Sequence, residues 1–229
     1  TAGQGRIGQF SFLVLMFFLM IVGIIYVEQG QRRIPIQFAK RVRGRKVMGG
    51  QSTYIPLKVN SAGVIPVIFA TSVLFFPALI ATSLPQDNNI TAGIRNWIDV
   101  NLANSQGTSW FYIFFLGMLI IFFTYFYTTI QFDPVRQSDM IRRQGGFVPG
   151  VRPGISTTNY LSHIISRITL PGSVFLASVA VLPSIASAIW DIPLGFSGIS
   201  ILITVGVALE TMKQIESQLS MRNYEGFVD

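Results

Sequence analysis

Long apolar runs alternate with shorter polar segments along the chain. Five runs contain no Asp, Glu, Lys or Arg, and they cover residues 10–27, 59–84, 110–132, 168–190 and 192–209. A bilayer core about 30 Å thick needs roughly 20 apolar residues at a rise of 1.5 Å per helical residue. The pattern therefore predicts five membrane-spanning helices and excludes a soluble globular domain. Spanning β-strands are also excluded, because residues 14–21 are apolar throughout rather than alternating.

All charged residues lie outside these runs, and the basic residues between the runs indicate an orientation. Eight Lys and Arg lie between the first and second runs, five lie between the third and fourth, and only Arg95 lies between the second and third. Since basic loops stay in the cytoplasm, connections 28–58 and 133–167 are predicted to be cytoplasmic, with Thr1 outside and Asp229 inside. An outside N-terminus needs something to deliver it, so we expect the chain to be part of a longer protein.

Residues suited to catalysis are scarce. The chain has no cysteine and a single histidine, His163. Gly44 and Gly49 have the spacing of a phosphate-binding loop, but Gly50 and Gln51 occupy its Lys and Ser/Thr positions. We therefore expect a non-enzymatic chain without a metal or other cofactor. A small-solute transporter is the alternative function, although ion-coupled transporters usually place charged groups inside the membrane.

Prolines and small residues interrupt two of the runs. Pro66 and Pro77 are predicted to lie inside the second span and Pro183 inside the fourth, where each can kink a helix. Small residues recur every fourth position in the fourth run, which lets a neighbouring helix approach closely, at Ala180, Ser184 and Ala188. Ordinary helix packing would also account for these features. The sharper hypothesis is that the second span is a bent, movable wall.

Both cytoplasmic connections carry more than a simple run of charge. Residues 29–46 mix arginines with Ile34, Ile36 and Phe38, a combination that suits a large anionic partner such as ribosomal RNA or an acidic protein face. Residues 145–154 place four glycines and two prolines around Arg152 and are predicted to form an ordered turn that presents it. The alternatives are that the basic residues only fix topology and attract anionic lipid, and that the turn is a passive connector.

Several segments together resemble one family. They are residues 30–35 (GQRRIP), 39–41 (AKR), 51–53 (QST), 56–60 (PLKVN), 62–70 (AGVIPVIFA) and 147–154 (FVPGVRPG). In this order, and with the five-span layout, the chain resembles the C-terminal half of the SecY family of bacterial protein-translocation channel subunits. The resemblance implies two five-helix halves of inverted topology, clamped around an hourglass pore. It thus implies an all-α polytopic membrane protein that forms one half of an inverted-repeat channel.

The resemblance also implies a function and a set of partners. It implies a channel in the bacterial plasma (inner) membrane that passes unfolded secretory polypeptides outward and releases hydrophobic segments sideways into lipid. Energy would come from the SecA ATPase or the ribosome, which would contact the basic loops through its RNA. The remaining implied partners are the small membrane subunits SecE and SecG, the translocating polypeptide, the lipid bilayer and the N-terminal half of SecY.

Particular residues match functional positions of the family. Ile68 and Ile203 resemble members of an aliphatic pore ring. The second span resembles the lateral-gate helix, with Pro66, Phe69 and Phe76. Arg152 resembles the arginine on which export driven by SecA depends. Four further residues resemble docking contacts for the ribosome or SecA, and they are Arg32, Arg33, Lys40 and Arg41.

Overall fold

The computed structural model describes residues 2–38, 41–43, 46–48, 52–83, 89–102, 109–190 and 197–225. The chain divides into two compact units. The first unit consists of Thr1–Glu28, Thr71–Gly117 and Ser178–Asp229. The second unit consists of Gln29–Ala70 and Met118–Ala177. All four divisions fall inside helices, after Glu28, Ala70, Gly117 and Ala177.

The described residues are mostly helical. The helices are α1 (Ala2–Gln29), α2 (Ile65–Ser83), α3 (Asn89–Asn101), α4 (Trp110–Gln131), α5 (Pro134–Arg143), α6 (Ile155–Trp190) and α7 (Gly198–Glu225). Five stretches are long and apolar enough to cross a membrane, namely Phe10–Gln29, Ile65–Ser83, Trp110–Arg143, Ile155–Trp190 and Gly198–Met221. The third of these joins α4 to α5. Five membrane-length stretches agree with the number of apolar runs in the sequence, whereas the shorter helices α3 and α5 were not predicted.

The second apolar run begins as a strand and a turn rather than as a helix. Gly63 has a φ of 65°, in the left-handed region that favours glycine, and α2 begins only at Ile65. Pro66 is thus the second residue of the helix, where its missing N–H removes no intrahelical hydrogen bond. The prediction that Pro66 bends the interior of this span is wrong, and the interior proline of α2 is Pro77.

Helix α6 begins 13 residues before the apolar run that predicted it. Its 36 residues extend about 54 Å, well beyond the roughly 30 Å of a bilayer core. Its first four turns contain His163 and Arg167, both exposed, on a different side from buried Leu161 and Ile164. This part of α6 therefore packs as an amphipathic helix.

A small β-sheet forms in the connections between the spans, which the sequence analysis did not predict. Strands β1 (Gln31–Phe38), β4 (Ser52–Lys58) and β5 (Gly146–Phe147) pair antiparallel in the order β4-β1-β5. Strands β2 (Arg41–Arg43) and β3 (Lys46–Met48) form a second antiparallel pair. The β1–β4 register runs from Gln31 opposite Lys58 to Gln37 opposite Ser52. Arg43 lies opposite Lys46, so β2 and β3 continue the register of β1 and β4.

The core of the second unit lies under this sheet. Alternate residues of β1 point inward, and they meet apolar residues from α5, α6 and the segment before Arg152. The buried members are Ile34, Ile36, Leu57, Ile141, Val148, Leu161 and Ile164. The connections 28–58 and 133–167 therefore share one apolar core.

In the first unit, α6 and α7 approach each other closely. A Cβ added to Gly198 would collide with the carbonyl oxygen of Val179 and would lie 2.9 Å from that of Ala180. Ala180 is itself buried. The close approach thus occurs beside the first of the small residues noted in the sequence, because α7 begins with a glycine.

Candidate functional site

The segment before Arg152 is held by a well-defined helix. The Asp133 side chain caps α5 by accepting hydrogen bonds from the backbone N–H groups of Val135 at 2.9 Å and Arg136 at 3.3 Å. Pro134 follows as the first helical residue, where proline is favoured. Helix α5 then buries Ser138 and Ile141 and exposes its basic residues. These features fix the entry of the chain into the turn.

Strand β5 ties this segment to β1. Gly146 pairs with Phe38, and Phe147 pairs with Gln37. A Cβ on Gly146 would lie 3.0 Å from Cγ2 of Ile36 and 3.2 Å from Cγ2 of Ile141. Glycine is therefore needed for the close approach of β5 to the sheet and to α5.

The ordered turn predicted around Arg152 is present. Val148 is buried, and its carbonyl accepts a hydrogen bond of 3.1 Å from the N–H of Val151. Gly150 and Gly154 have φ angles of 83° and 112°, which L-residues with a side chain rarely adopt. The Arg152 side chain is exposed. The glycines thus allow a compact reversal in which one guanidinium faces outward.

Two buried hydroxyl groups fasten this turn from different helices. Ser138 Oγ of α5 donates to the carbonyl of Gly154 at 3.1 Å. Thr157 Oγ1 of α6 donates to the carbonyl of Arg152 at 3.0 Å. The exposed fractions of Ser138 and Thr157 are 3% and 2%. The sequence analysis missed both residues, because a single Ser in α5 and one of several hydroxyl residues at the start of α6 carry no signal of a bond to a distant carbonyl.

The first connection presents its charges on a hairpin. Successive residues of a strand point to opposite faces, so Arg32 and Arg33 lie on different faces of β1. The Arg33 guanidinium lies 4.8 Å from the centre of the Tyr54 ring, in a cation–π contact across the β1–β4 pair. Lys40 lies outside the described residues. Arg41 pairs with Met48, but only its backbone is described.

Proline at two strand positions fits the same register. Pro35 of β1 lies opposite Tyr54, and Pro56 of β4 lies opposite Arg33. These two pairs are two residues apart and therefore belong to the same alternating class of the ladder. The N–H of Val59 donates to the carbonyl of Gly30 at 3.0 Å, which places the ladder hydrogen bonds in the other class, so neither missing N–H is lost from the sheet. The alternation of apolar residues at 34, 36 and 38 was the available signal for this strand.

The second unit is strongly basic. It contains thirteen Lys and Arg residues but only two acidic residues, Asp133 and Asp139. No ion pair joins two described residues of this unit. The ion pair that does join described residues is Arg95 with Asp99, 3.7 Å apart on α3 of the first unit. The basic side chains that the structure describes in the two connections are exposed, so they can reach an anionic partner.

The residues predicted to line a pore or a gate lie on two membrane-length helices. Ile68, which is 46% exposed, belongs to the second unit, whereas Ile203 of α7, 37% exposed, belongs to the first. Phe69 packs against Phe123 and Tyr127 of α4, with ring centres 6.2 and 5.2 Å apart. Phe76 is 63% exposed, whereas Pro66 is fully buried. The predicted gate residue Phe69 thus makes aromatic contacts with α4.

Other chemistry is not found in the described part of the chain. No group of three or more His, Asp or Glu residues that could hold a metal ion occurs among the described residues. His163 is exposed on α6. An open cleft of about 720 Å³ in the first unit is lined mainly by α2, together with Asp99 of α3 and Tyr112 of α4.

Comparison with known proteins gives a consistent result. The SecY family model matches residues 2–212. The chain is 50% identical over 222 residues to the protein translocase subunit SecY of Streptomyces coelicolor, covering 96% of this chain and 49% of that protein. It is 46% identical over 234 residues to the subunit of the same name from Thermus thermophilus, covering 100% and 52% respectively. The chain thus spans about half the length of the curated relatives that it matches.

Two solved structures share the fold. One, described as the structure of a protein-conducting channel, matches with a TM-score of 0.57 at 17% identity and covers 94% of this chain and 51% of that chain. The other concerns the SecY plug domain and the closed state of the translocation channel, and it matches with a TM-score of 0.54 at 16% identity over 94% and 52%. At these identities the structures establish the fold alone. They confirm the predicted fold class, a helical membrane protein that matches about half of a channel.

Proposed function

This chain belongs to the SecY family and is a multi-pass membrane protein, and on that premise we propose that it forms the C-terminal half of a protein-conducting channel. The channel passes unfolded secretory polypeptides across the membrane and releases hydrophobic segments into lipid. The observation that carries this proposal is the family match over residues 2–212. The identity of about 50% to full-length translocase subunits supports the same conclusion.

The proposed location is the bacterial plasma membrane, with Thr1 outside and Asp229 in the cytoplasm. The distribution of charge supports this orientation, because thirteen of the 17 Lys and Arg residues lie in the two connections assigned to the cytoplasm. The exposed basic residues of the hairpin and the presented Arg152 then lie on the side where the energy sources act. The proposed energy sources are the SecA ATPase and the translating ribosome.

The chain itself is proposed to be non-enzymatic and to need no cofactor. SecA would contact Arg152, and the ribosome would contact the hairpin through its RNA at Arg32, Arg33, Lys40 and Arg41. The N-terminal half of SecY, together with the small subunits SecE and SecG, would complete the channel. The translocating polypeptide and the surrounding bilayer are the remaining partners. A small-solute transporter is not supported, because the five apolar runs contain no charged side chain.

The proposed path runs beside α2 and α7. Ile68 and Ile203 are assigned to a ring of branched apolar side chains, which seals against ions by excluding water and yields around a passing chain. Both side chains are partly exposed in this chain alone, as a lining residue must be. Helix α2, with Pro66, Phe69 and Phe76, is assigned to the lateral gate. Its interior Pro77 provides a point at which the helix can bend.

Reconstitution tests the proposed function directly. The chain is assembled with a SecY N-terminal half, SecE and SecG in phospholipid vesicles, and an unfolded preprotein is added with SecA and ATP. The expected result is preprotein protected from protease inside the vesicles, in an amount that depends on this chain. Vesicles that contain the N-terminal half without this chain are the control. An assembled complex that protects no preprotein would overturn the proposal.

A further inference from the structure

The buried hydroxyls of Ser138 and Thr157 have a role beyond packing. We propose that these two are positioning residues, which fix the direction in which Arg152 is presented to the motor. The proposal rests on the proposed function, since that function assigns the motor contact to Arg152. Neither hydroxyl reaches the partner, because both residues are buried.

The hydrogen bonds of these hydroxyls are unusual for helical residues. Thr124, Thr129 and Thr169 each donate to the carbonyl four residues earlier in their own helix, at 2.7 to 2.8 Å. This is the common local solution for a helical threonine. Ser138 instead donates to Gly154, 16 residues away, and Thr157 donates to Arg152, which precedes its helix. Their bonds therefore fasten the turn and not the helices that carry them.

The two bonds restrain the peptide group before Pro153 and the peptide group after Gly154. The Arg152 carbonyl is held by Thr157, and the Gly154 carbonyl is held by Ser138 and by the N–H groups of Thr157 and Thr158. Pro153 fixes its own φ and restricts the residue before it to extended conformations. Rotation of the Arg152 backbone would therefore break the bond to Thr157. The guanidinium is left as the mobile part of an anchored residue.

Anchoring changes the cost of binding. An exposed arginine on a mobile loop loses backbone freedom when a partner immobilises it, and this loss subtracts from affinity. In this turn the freedom has already been lost on folding. Removal of both hydroxyls should restore part of this backbone freedom and weaken the contact of Arg152 with the motor. The apolar core of Ile141, Val148 and Leu161 should stay intact.

The absence of cysteine allows a direct measurement of mobility. An Arg152→Cys variant offers one labelling site in this chain, and its spin-label spectrum is compared with and without Ser138→Ala plus Thr157→Val in a complete channel whose other subunits have had any cysteine replaced. We expect the label to become more mobile when both hydroxyls are removed. The control is Thr169→Val. Thr169 is a buried residue of α6, the helix that also carries Thr157, and its hydroxyl donates to a carbonyl within that helix. This control should leave the mobility of the label unchanged.

Export is measured in parallel with Arg152 in place. Loss of two hydrogen bonds should lower SecA-driven export per assembled channel by about threefold to tenfold. Ribosome-driven insertion should stay unchanged, and Thr157→Ser, which keeps the hydroxyl, should retain most of the activity. In an Arg152→Glu background the double change should add nothing further. If the hydroxyls only stabilised the fold, their removal would lower both SecA-driven export and ribosome-driven insertion. The loss would then also be seen in the Arg152→Glu background.

The outcomes separate this proposal from the function on which it rests. Unchanged label mobility, or an equal loss with Thr169→Val, would overturn the positioning role. If Arg152→Glu left export unaffected, the assigned motor contact would fail, yet increased mobility at residue 152 would still show that the hydroxyls position it. Increased mobility together with a selective, rescued loss of SecA-driven export would establish both.

Discussion

The two units of the molecule carry opposite charge. The second unit has thirteen basic and two acidic residues, a formal balance of +11, whereas the first has four basic and eight acidic residues, a balance of −4. Together they give the +7 of the whole chain. The second unit also contains the sheet and the turn, and the first contains most of α1 and α7. Basic charge is therefore concentrated on the elements that fold outside the apolar runs.

Within the second unit, charge is presented in two different ways. The hairpin spreads several cations along paired strands. The turn presents one arginine on a backbone that glycines, a proline and two buried hydroxyls hold in place. We infer that the hairpin acts through the number of its charges and the turn through the position of one. The following changes test that distinction.

Replacement of Leu161 by Ala should have the largest effect, because it leaves a cavity in the core that both connections share. Leu161 is fully buried, and such a truncation costs about 2–5 kcal/mol. Backbone amides of Ile34 and Ile36 in β1 should then exchange hydrogen at least about thirtyfold faster. Ile155→Ala on the same helix, at a side chain that is 81% exposed, is the control. Protection that survives Leu161→Ala would mean that the connections do not depend on a common core.

Charge reversal at the turn should be next in size. Arg152→Glu should reduce SecA-driven export by at least about thirtyfold, since loss of a charged contact costs roughly 2–5 kcal/mol. Export into reconstituted vesicles measures this, and immunoblotting checks that the channel assembles. Arg136→Glu, an exposed reversal on α5, should have little effect. Normal export by the Arg152→Glu channel would refute the motor contact.

Reversal of the hairpin charges should be graded and dependent on salt. Changing Arg32, Arg33, Lys40 and Arg41 together to Glu should weaken ribosome binding about tenfold and lower the slope of log affinity against log salt by up to about three, because fewer RNA counterions are released. Charge-conserving exchange of Arg and Lys at the same positions should keep the slope. Equal affinity of the reversed and unchanged channels would leave these residues with a role in topology only.

A pore-ring change should affect ions rather than motors. Ile68→Gly should raise the resting ion leak of the complete channel severalfold, because it removes a branched apolar side chain from the proposed seal. Conductance across a planar bilayer measures the leak. Phe76→Ala, at a more exposed position of the same helix, should change it less. An unaltered conductance would count against the assignment of Ile68 to the ring.

The smallest effect is expected at Tyr54. Tyr54→Leu removes the ring under the Arg33 guanidinium, a contact worth about 0.5–1 kcal/mol at an exposed site. Ribosome affinity should fall about twofold to fivefold, whereas Tyr54→Phe should preserve it. A loss of ribosome affinity as large as that from reversing all four hairpin charges would show that the hairpin, like the turn, depends on one positioned arginine.

The sequence predicted the features whose physical cause is local. Uncharged runs of about 20 residues predict spanning helices, because hydrocarbon offers the backbone no other partner. Four glycines and two prolines around Arg152 predict a turn, because they set the allowed backbone angles. The conversion of residues 31–38 and 52–58 into a hairpin was missed, although apolar alternation at Ile34, Ile36 and Phe38 was a usable signal.

By itself, then, the sequence determined how many helices can cross a membrane, which segments carry the basic charge and which family the chain resembles. The tertiary structure decided that Arg32 and Arg33 lie on opposite faces of a strand, that Pro66 begins a helix rather than bending one, and that Ser138 and Thr157 hold the turn at Arg152. Strand register and a hydrogen bond across 16 residues arise only when distant segments pack on one core. No local pattern contains that information.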